Sequence, residues 1–489
     1  MLINTGIFAA MVWLAMVCGQ ISNISAEGIT TNPIQVQPTT SSFLIRAQPF
    51  VQLPATQDAS KPTAKINDFV LYTNAARTRL QNMMPLGDGS GRLAISDLRG
   101  VLYLVNEDGS GLSTYLDLRQ ATDDLAMHVF PNEAGLLGFA FHPQFGQSGS
   151  PGYGKFYTAY SAQRESGEAD FMAGADASHH SVIRQWTAHD HRHATFSGSS
   201  TEIIRIGQFA VSHNIGTLAF NPAAAPGSAD FGALYFSMGD GGGAFDPMQN
   251  GQNPRTPLGT LMRIQPLAAG NKKYAIPADN PFVGRSGYLP EIWAWGIRHA
   301  QHFSFARNGR MYINDIGQNL VEEVNIGVKG ANYGWPVREG MFLTGQAFDD
   351  GYLGALYPLS QEVADTDTYT YPVAQYDHDD VVNAISSGFL YEGQAIKELQ
   401  GQYVFADLVQ GTLYSIPADY TQTDGAAPIT QLRVHIAGRE QPIAAVVAYE
   451  NTYTPDVPRA DLRLGMDERG ELYILTKGDG MVRKLVPQR

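Results

Sequence analysis

The chain is poor in several features that would carry common functions. It has one cysteine, Cys18, in 489 residues, so no intramolecular disulfide can staple it and stability must come from burial. Positive charge is scarce: 33 Lys and Arg stand against 47 Asp and Glu, a formal net charge of -14. A nucleic-acid function would work against that repulsive field. No basic residue precedes Arg46. There is no G-x-S-x-G elbow, so an α/β-hydrolase triad has no anchor. Asp240-Gly241-Gly242-Gly243 resembles a dinucleotide loop only superficially, because Phe245-Asp246-Pro247 continues it as loop where a helix should begin.

What is present points to β structure. Glycine numbers 51, aromatics make up 10 % and charged residues only 16 %, which suits short strands and turns better than long amphipathic helices. The apolar run Ile7 to Val17 is too short to cross a bilayer and has the length of a signal-peptide core, so residues 1–26 are expected to be a cleaved signal, with lipid attachment at Cys18 as the alternative. A periplasmic or secreted location follows, with no membrane span after cleavage. Residues 27–65, rich in Thr, Ser, Gln and Pro, read as a leader or linker.

From residue 66 to 489 one pattern recurs: a glycine turn, then a short strand with aromatic and β-branched residues. It begins at Gly100, Gly154, Gly232, Gly309, Gly401 and Gly470. Six copies at blade-like spacing predict an all-β, six-bladed β-propeller with long insertions, each copy expected as an inner blade strand. A β-sandwich array or β-helix would show similar units.

Candidate chemistry is sparse. His213 stands at the entrance of an apolar strand in "VSHNIGTLAF", where an imidazole can serve as a base. Arg298 follows an aromatic strand in "PEIWAWGIRHAQHFSF", a fixed cation able to stabilise a developing oxyanion. Either could equally be a structural hydrogen-bonder. His189, His191 and His193 in "HDHRH" would share one face if extended, which suits a metal, or lie in a solvated loop.

Several long segments in order resemble the glucose/sorbosone dehydrogenase family of soluble quinoproteins. They include "EAGLLGFAFHPQF", "SHNIGTLAFNP", "LYFSMGDGGGAFDP", "NPRTPLGTLMRI", "IPADNPFVG", "INDIGQNLVEEVN", "GANYGWPVREG" and "YVFADLVQGTLYSI". The resemblance implies a six-bladed propeller with pyrroloquinoline quinone (PQQ) across one face and Ca²⁺ holding it. It implies His213 as the base that takes a sugar's anomeric proton and Arg298 as the residue steadying the reduced oxygen. Glu133 falls beside the cofactor, and the Ca²⁺ carbonyls fall at Gly317 and Gln318. Three positions depart from the family pattern: His299 replaces a cofactor-contacting asparagine, Ser212 an aspartate before the base, and Gln410 a basic residue that meets the quinone's carboxylates. The implied activity is oxidation of an aldose or related sugar to its lactone, with electrons passed to an external acceptor. A non-catalytic binding propeller is the rival, and lactonase chemistry through Asp377, Asp379 and Asp380 a third reading.

Overall fold

The computed structural model describes residues 28–56, 64–66, 69–71, 76–126, 133–172, 177–267, 273–318, 320–348, 351–360, 368–378, 381, 383–421, 423–451 and 454–488. The expected signal segment with Cys18, and Asp379 and Asp380, lie outside these. Five blades are four-stranded antiparallel sheets read in chain order. Their inner strands are Leu80–Pro85, Leu136–Phe141, Ile215–Phe220, His302–Phe305 and Ile385–Leu390 for blades one to five. Blade six runs outward from Leu462–Met466 through Leu472–Thr476 and Met481–Pro487. Each inner strand packs on the next, and that of blade six on that of blade one, so the ring closes as a six-bladed propeller.

The fourth strand of blade six comes from the other end of the chain. Thr39–Gln52, inside the segment expected to be a leader, is a strand that pairs antiparallel with Met481–Pro487 and parallel with Thr430–Ile436 of blade five. The expectation of a leader fails here because the strand owes little to propensity: its stability is tertiary. Ile45 is fully buried and Ala47 nearly so, between two blades. Pro49 is tolerated because pairing with blade five ends at Arg46, so its missing N–H breaks no ladder on that side.

The repeat needs a second correction. The units after Gly154, Gly232, Gly309, Gly401 and Gly470 are second strands, and the one after Gly100 is the third strand of blade one. The glycines, all at positive φ, make the turn that follows a preceding strand. Second strands are as fully buried as inner ones because each blade is covered on both faces by its neighbours: Leu234–Met238 and Leu472–Thr476 are buried along their whole length. Burial alone could not tell the two apart. Between blades the core is aromatic and aliphatic, as where Tyr312 of blade four stacks on Tyr403 of blade five at 4.1 Å between ring centroids.

Two histidines are sealed into this core. Burial, helped by Lys155, pushes His142 down from its ordinary 6.5 to about 4, and burial with Arg463 nearby pushes His302 down to about 3. Both are neutral in the fold, and the unfolded chain takes their protons first. Their contribution to stability is therefore complete above pH 6.5 and is lost as pH falls toward 4 and 3. The His142→Asn protein, whose amide oxygen can still accept the Gln144 N–H now held at 3.1 Å by Nδ1, should show a shallower fall in Tm between pH 6.5 and 4 than the parent in calorimetry.

Candidate active site

In each blade the start of the inner strand and the loop from second to third strand open on the same face. Glu133, His213 and the Arg298-His299 pair stand just before the inner strands of blades two, three and four. Asp240, Gly317 with Gln318, and Gln410 lie in the second-to-third loops of blades three, four and five. All seven residues named from the sequence for catalysis, cofactor or metal are therefore on one face, and four of the six blades supply them.

The centre is a histidine held by a carboxylate. His213 Nδ1 lies 2.6 Å from Asp240 Oδ1. Asp240 is buried, its Oδ1 also accepts the Gly242 N–H at 2.9 Å and its Oδ2 the Trp335 indole N–H at 2.8 Å. Burial works to raise its pKa, but the charges of His213 and Arg298 and these hydrogen bonds outweigh it, so the carboxyl sits below its ordinary value. An ionised Asp240 only accepts, so Nδ1 is the protonated nitrogen and the neutral tautomer leaves the Nε2 lone pair bare. Nε2 makes no hydrogen bond among the described residues.

His213 itself is fixed through its backbone. It has φ 54°, and its N–H donates to Glu133 Oε2 at 2.8 Å. The His299 ring stacks on it with centroids 4.6 Å apart. Gly239 permits that stack: a Cβ there would come within 2.5 Å of the His213 carbonyl and 2.8 Å of the His299 ring. Burial, with the charges of His213, Arg298 and Arg463, drives His299 well below its ordinary value, so it is a neutral ring.

Arg298 and His299 hang on one carboxylate. Asp315 Oδ2 accepts the Arg298 N–H at 2.9 Å and Oδ1 the His299 N–H at 2.7 Å. The guanidinium is aimed by the Ile316 carbonyl at 3.0 Å, by Gln318 Oε1 at 3.3 Å, and by the Trp335 ring 5.5 Å away. Behind Asp315, Glu323 faces it across the strand pair, and burial together pushes both carboxyls up. The Gly317-Gln318 loop is built on acids as well: Glu322 accepts the Gly317 N–H, and Glu339 Oε1 accepts the N–H groups of Gln318, Leu320 and Val321 at 3.1 Å each.

The structure thus brings His213, Glu133, Arg298, His299 and Gln318 together. Gln410 lies one blade further round, its N–H held by Asp407 at 2.7 Å, and Ser212 packs near Gly242. His189, His191 and His193 occupy the hairpin turn after Ala188, where Asp190 pairs with Arg192 at 2.7 Å and His191 packs on Phe145 and Tyr153. Asp377 ends the outer strand of blade four and accepts the Ile34 N–H at 2.8 Å. Among the described residues no three His, Cys, Asp or Glu side chains are grouped to hold a metal. Asp240, Asp315 and Trp335 were not singled out from the sequence. Asp240 carried one signal: an acid at a strand end, before a glycine turn, in the blade that also holds His213.

Residues 80–440 match the glucose/sorbosone dehydrogenase family, and the chain belongs to it. Among curated proteins it is 28 % identical over 471 residues to the HIPL1 protein of Arabidopsis thaliana, covering 83 % of this chain and 61 % of that protein. It is 26 % identical over 276 residues to quinoprotein glucose dehydrogenase B of Acinetobacter calcoaceticus, covering 53 % of this chain and 49 % of that one. The chain thus spans about three fifths of the length of HIPL1. Among solved structures, the soluble aldose sugar dehydrogenase of Escherichia coli in its apo form superposes with a TM-score of 0.56 at 20 % identity, over 84 % of this chain and 97 % of the other.

Replacing Asp315 by Ala would leave two buried N–H groups without an acceptor, at about 1–3 kcal/mol each. Urea unfolding should show a loss of roughly 2–6 kcal/mol for Asp315→Ala and a clearly smaller loss for Asp315→Asn, which keeps one acceptor.

Proposed function

We propose that the chain is an exported quinoprotein oxidoreductase that converts an aldose or related sugar to its lactone and passes electrons to an external acceptor. The observation that carries this reading is the His213–Asp240 pair at 2.6 Å with Arg298 anchored beside it. The donor set suits a carboxylate-bearing quinone: the Arg298 guanidinium, the stacked imidazoles of His213 and His299 and the Trp335 ring lie together on one face. When bound, PQQ supplies an acceptor for the hydride leaving the sugar C1.

The protein's part is proton and charge management. Nε2 of His213 is placed to take the proton of the anomeric hydroxyl, and Asp240 keeps the ring in the tautomer that can do so and offsets the imidazolium that results. Arg298 stays protonated and so cannot be the base; its guanidinium would stabilise an oxygen that becomes anionic in the reaction. His299 offers a neutral ring where the family pattern has an amide, and Gln410 replaces a cation, so charge on this side must come from elsewhere. For Ca²⁺, the Gly317 and Gln318 carbonyls would be the ligands, and the Gly317 carbonyl is trans to the Gln318 N–H that Glu339 holds, so a hard cation would meet it on the side away from that acid.

Two measurements test the reading. Purified protein supplied with PQQ and Ca²⁺ should reduce a dye with at least one sugar of a neutral and acidic panel. The His213→Gln protein should lose a factor of about 10² to 10⁴ in kcat while its Tm and quinone affinity stay close to the parent's. Quinone binding with no turnover on any sugar would instead mark a binding module. Separately, chelation should lower Tm and Ca²⁺ restore it, by about 2.7 kcal/mol of stability at a hundredfold excess over Kd; no response would remove the carbonyl site.

A further inference from the structure

On the face opposite the candidate active site, where the turn from first to second strand and the loop from third to fourth strand open, a cavity of about 280 Å³ lies between blades three and four. Small-molecule sites usually measure roughly 300–1,000 Å³, so this one suits a single small ring better than a chain. One wall is aromatic. Tyr235 meets Trp293 edge to face at 5.6 Å and Phe305 at 5.1 Å between ring centroids, and Met311 belongs to the same apolar cluster. The other wall is charged and balanced, because the charged side chains that line the cavity are Asp230 and Asp279 against Arg263 and Lys329.

The carboxylates are fixed before any ligand arrives. Arg263, whose side chain is only 2 % exposed, grips Asp230 at 3.0 Å and Asp279 at 2.8 Å. Asp230 also accepts the Tyr235 hydroxyl at 2.7 Å and the Asn221 amide at 2.6 Å, and Lys329 of blade four reaches across to Asp279 at 3.0 Å. Hydrogen-bonding capacity remains on both sides. Asp279, 46 % exposed, uses two of its about four acceptor positions and Lys329 only one of its N–H donors. The Trp293 indole N–H makes no hydrogen bond among the described residues. Charges that cancel give neither an anion nor a cation an advantage here. Spare donors and acceptors beside an aromatic wall match a ligand whose groups both donate and accept and whose ring carries an apolar C–H face.

We propose that this cleft binds the ring of a neutral sugar, with its C–H face on the aromatic wall and its hydroxyls on Asp279, Lys329 and the Trp293 N–H. Arg263 is a positioning residue, which holds the two carboxylates in place. The cleft lies at the other end of the strands from His213, so the proposal rests on no redox step. Two sources share the chemistry: a free monosaccharide, and the terminal ring of a longer glycan.

The test titrates the whole protein, without quinone, with glucose, galactose, mannose, xylose and N-acetylglucosamine by calorimetry, and follows tryptophan fluorescence in parallel. At least one sugar should bind saturably to the parent and shift its fluorescence. Asp279→Asn, which keeps the shape of the side chain, should weaken that binding about tenfold or more. Trp293→Phe should weaken it too and remove the fluorescence change, and both variants should remain folded by circular dichroism. Arg298→Ala, on the other face, should leave the Kd as it is, and Asp279→Asn should leave dye reduction with quinone as it is, so this site and the dehydrogenase reading fail separately. A disaccharide that binds as tightly as its monosaccharide marks a glycan end, and one that binds about tenfold more weakly marks a free sugar. No saturable binding to any sugar of the panel, binding that both folded Asp279 and Trp293 variants retain in full, or a preference for phosphate or putrescine over every sugar overturns the inference.

Discussion

The structure depends on ring closure by one strand. With no disulfide available, the propeller is shut by the hydrogen bonds of Thr39–Gln52, which sits between strands of blades five and six. Its contact with blade five joins residues 391 apart in sequence, a closure costing about 5 kcal/mol in chain entropy by the logarithmic rule. Two ladders and the burial of Ile45 and Ala47 on both sides offset that cost. The strand serves two blades at once, and the last two blades become one sheet.

The site inherits its rigidity from this ring in a specific way. Its reactive groups are placed by carboxylates acting on backbone N–H groups: Glu133 on His213, Asp315 on Arg298 and His299, Glu339 on the loop of Gln318. Such contacts fix the main chain from which the site's side chains project. They also explain the abundance of buried acid beneath a face that carries arginines.

Much of this was legible in the sequence, and the failures have physical causes. Six glycine-led strand units gave the right number of blades because the turn into a second strand repeats a conformation that only glycine takes easily. In blade one that place is held by Gly91-Arg92-Leu93, without the tyrosine, and the unit at Gly100 counted in its stead. His213 and Arg298 could be found because each stands in a distinctive run. Asp240 and Asp315 could not be assigned, since what matters is the partner each reaches across loops, and Thr39–Gln52 hid because its burial comes from two distant neighbours. Arg463 of blade six reaches the Gln301 side chain next to His299 only because the ring closes, a contact that no local pattern announces.

The closing strand has a consequence for synthesis and handling of the protein. Until Met481–Pro487 has emerged, Thr39–Gln52 can pair only with Thr430–Ile436, and the outer edge of blade six has no partner. A growing chain therefore carries open strand edges for nearly its whole translation, which are templates for pairing with another copy. An exchange of Thr39–Gln52 between two nascent chains would satisfy every ladder in both. Such an exchange would be a domain swap, and what would set it is the order of emergence rather than any surface of the finished molecule.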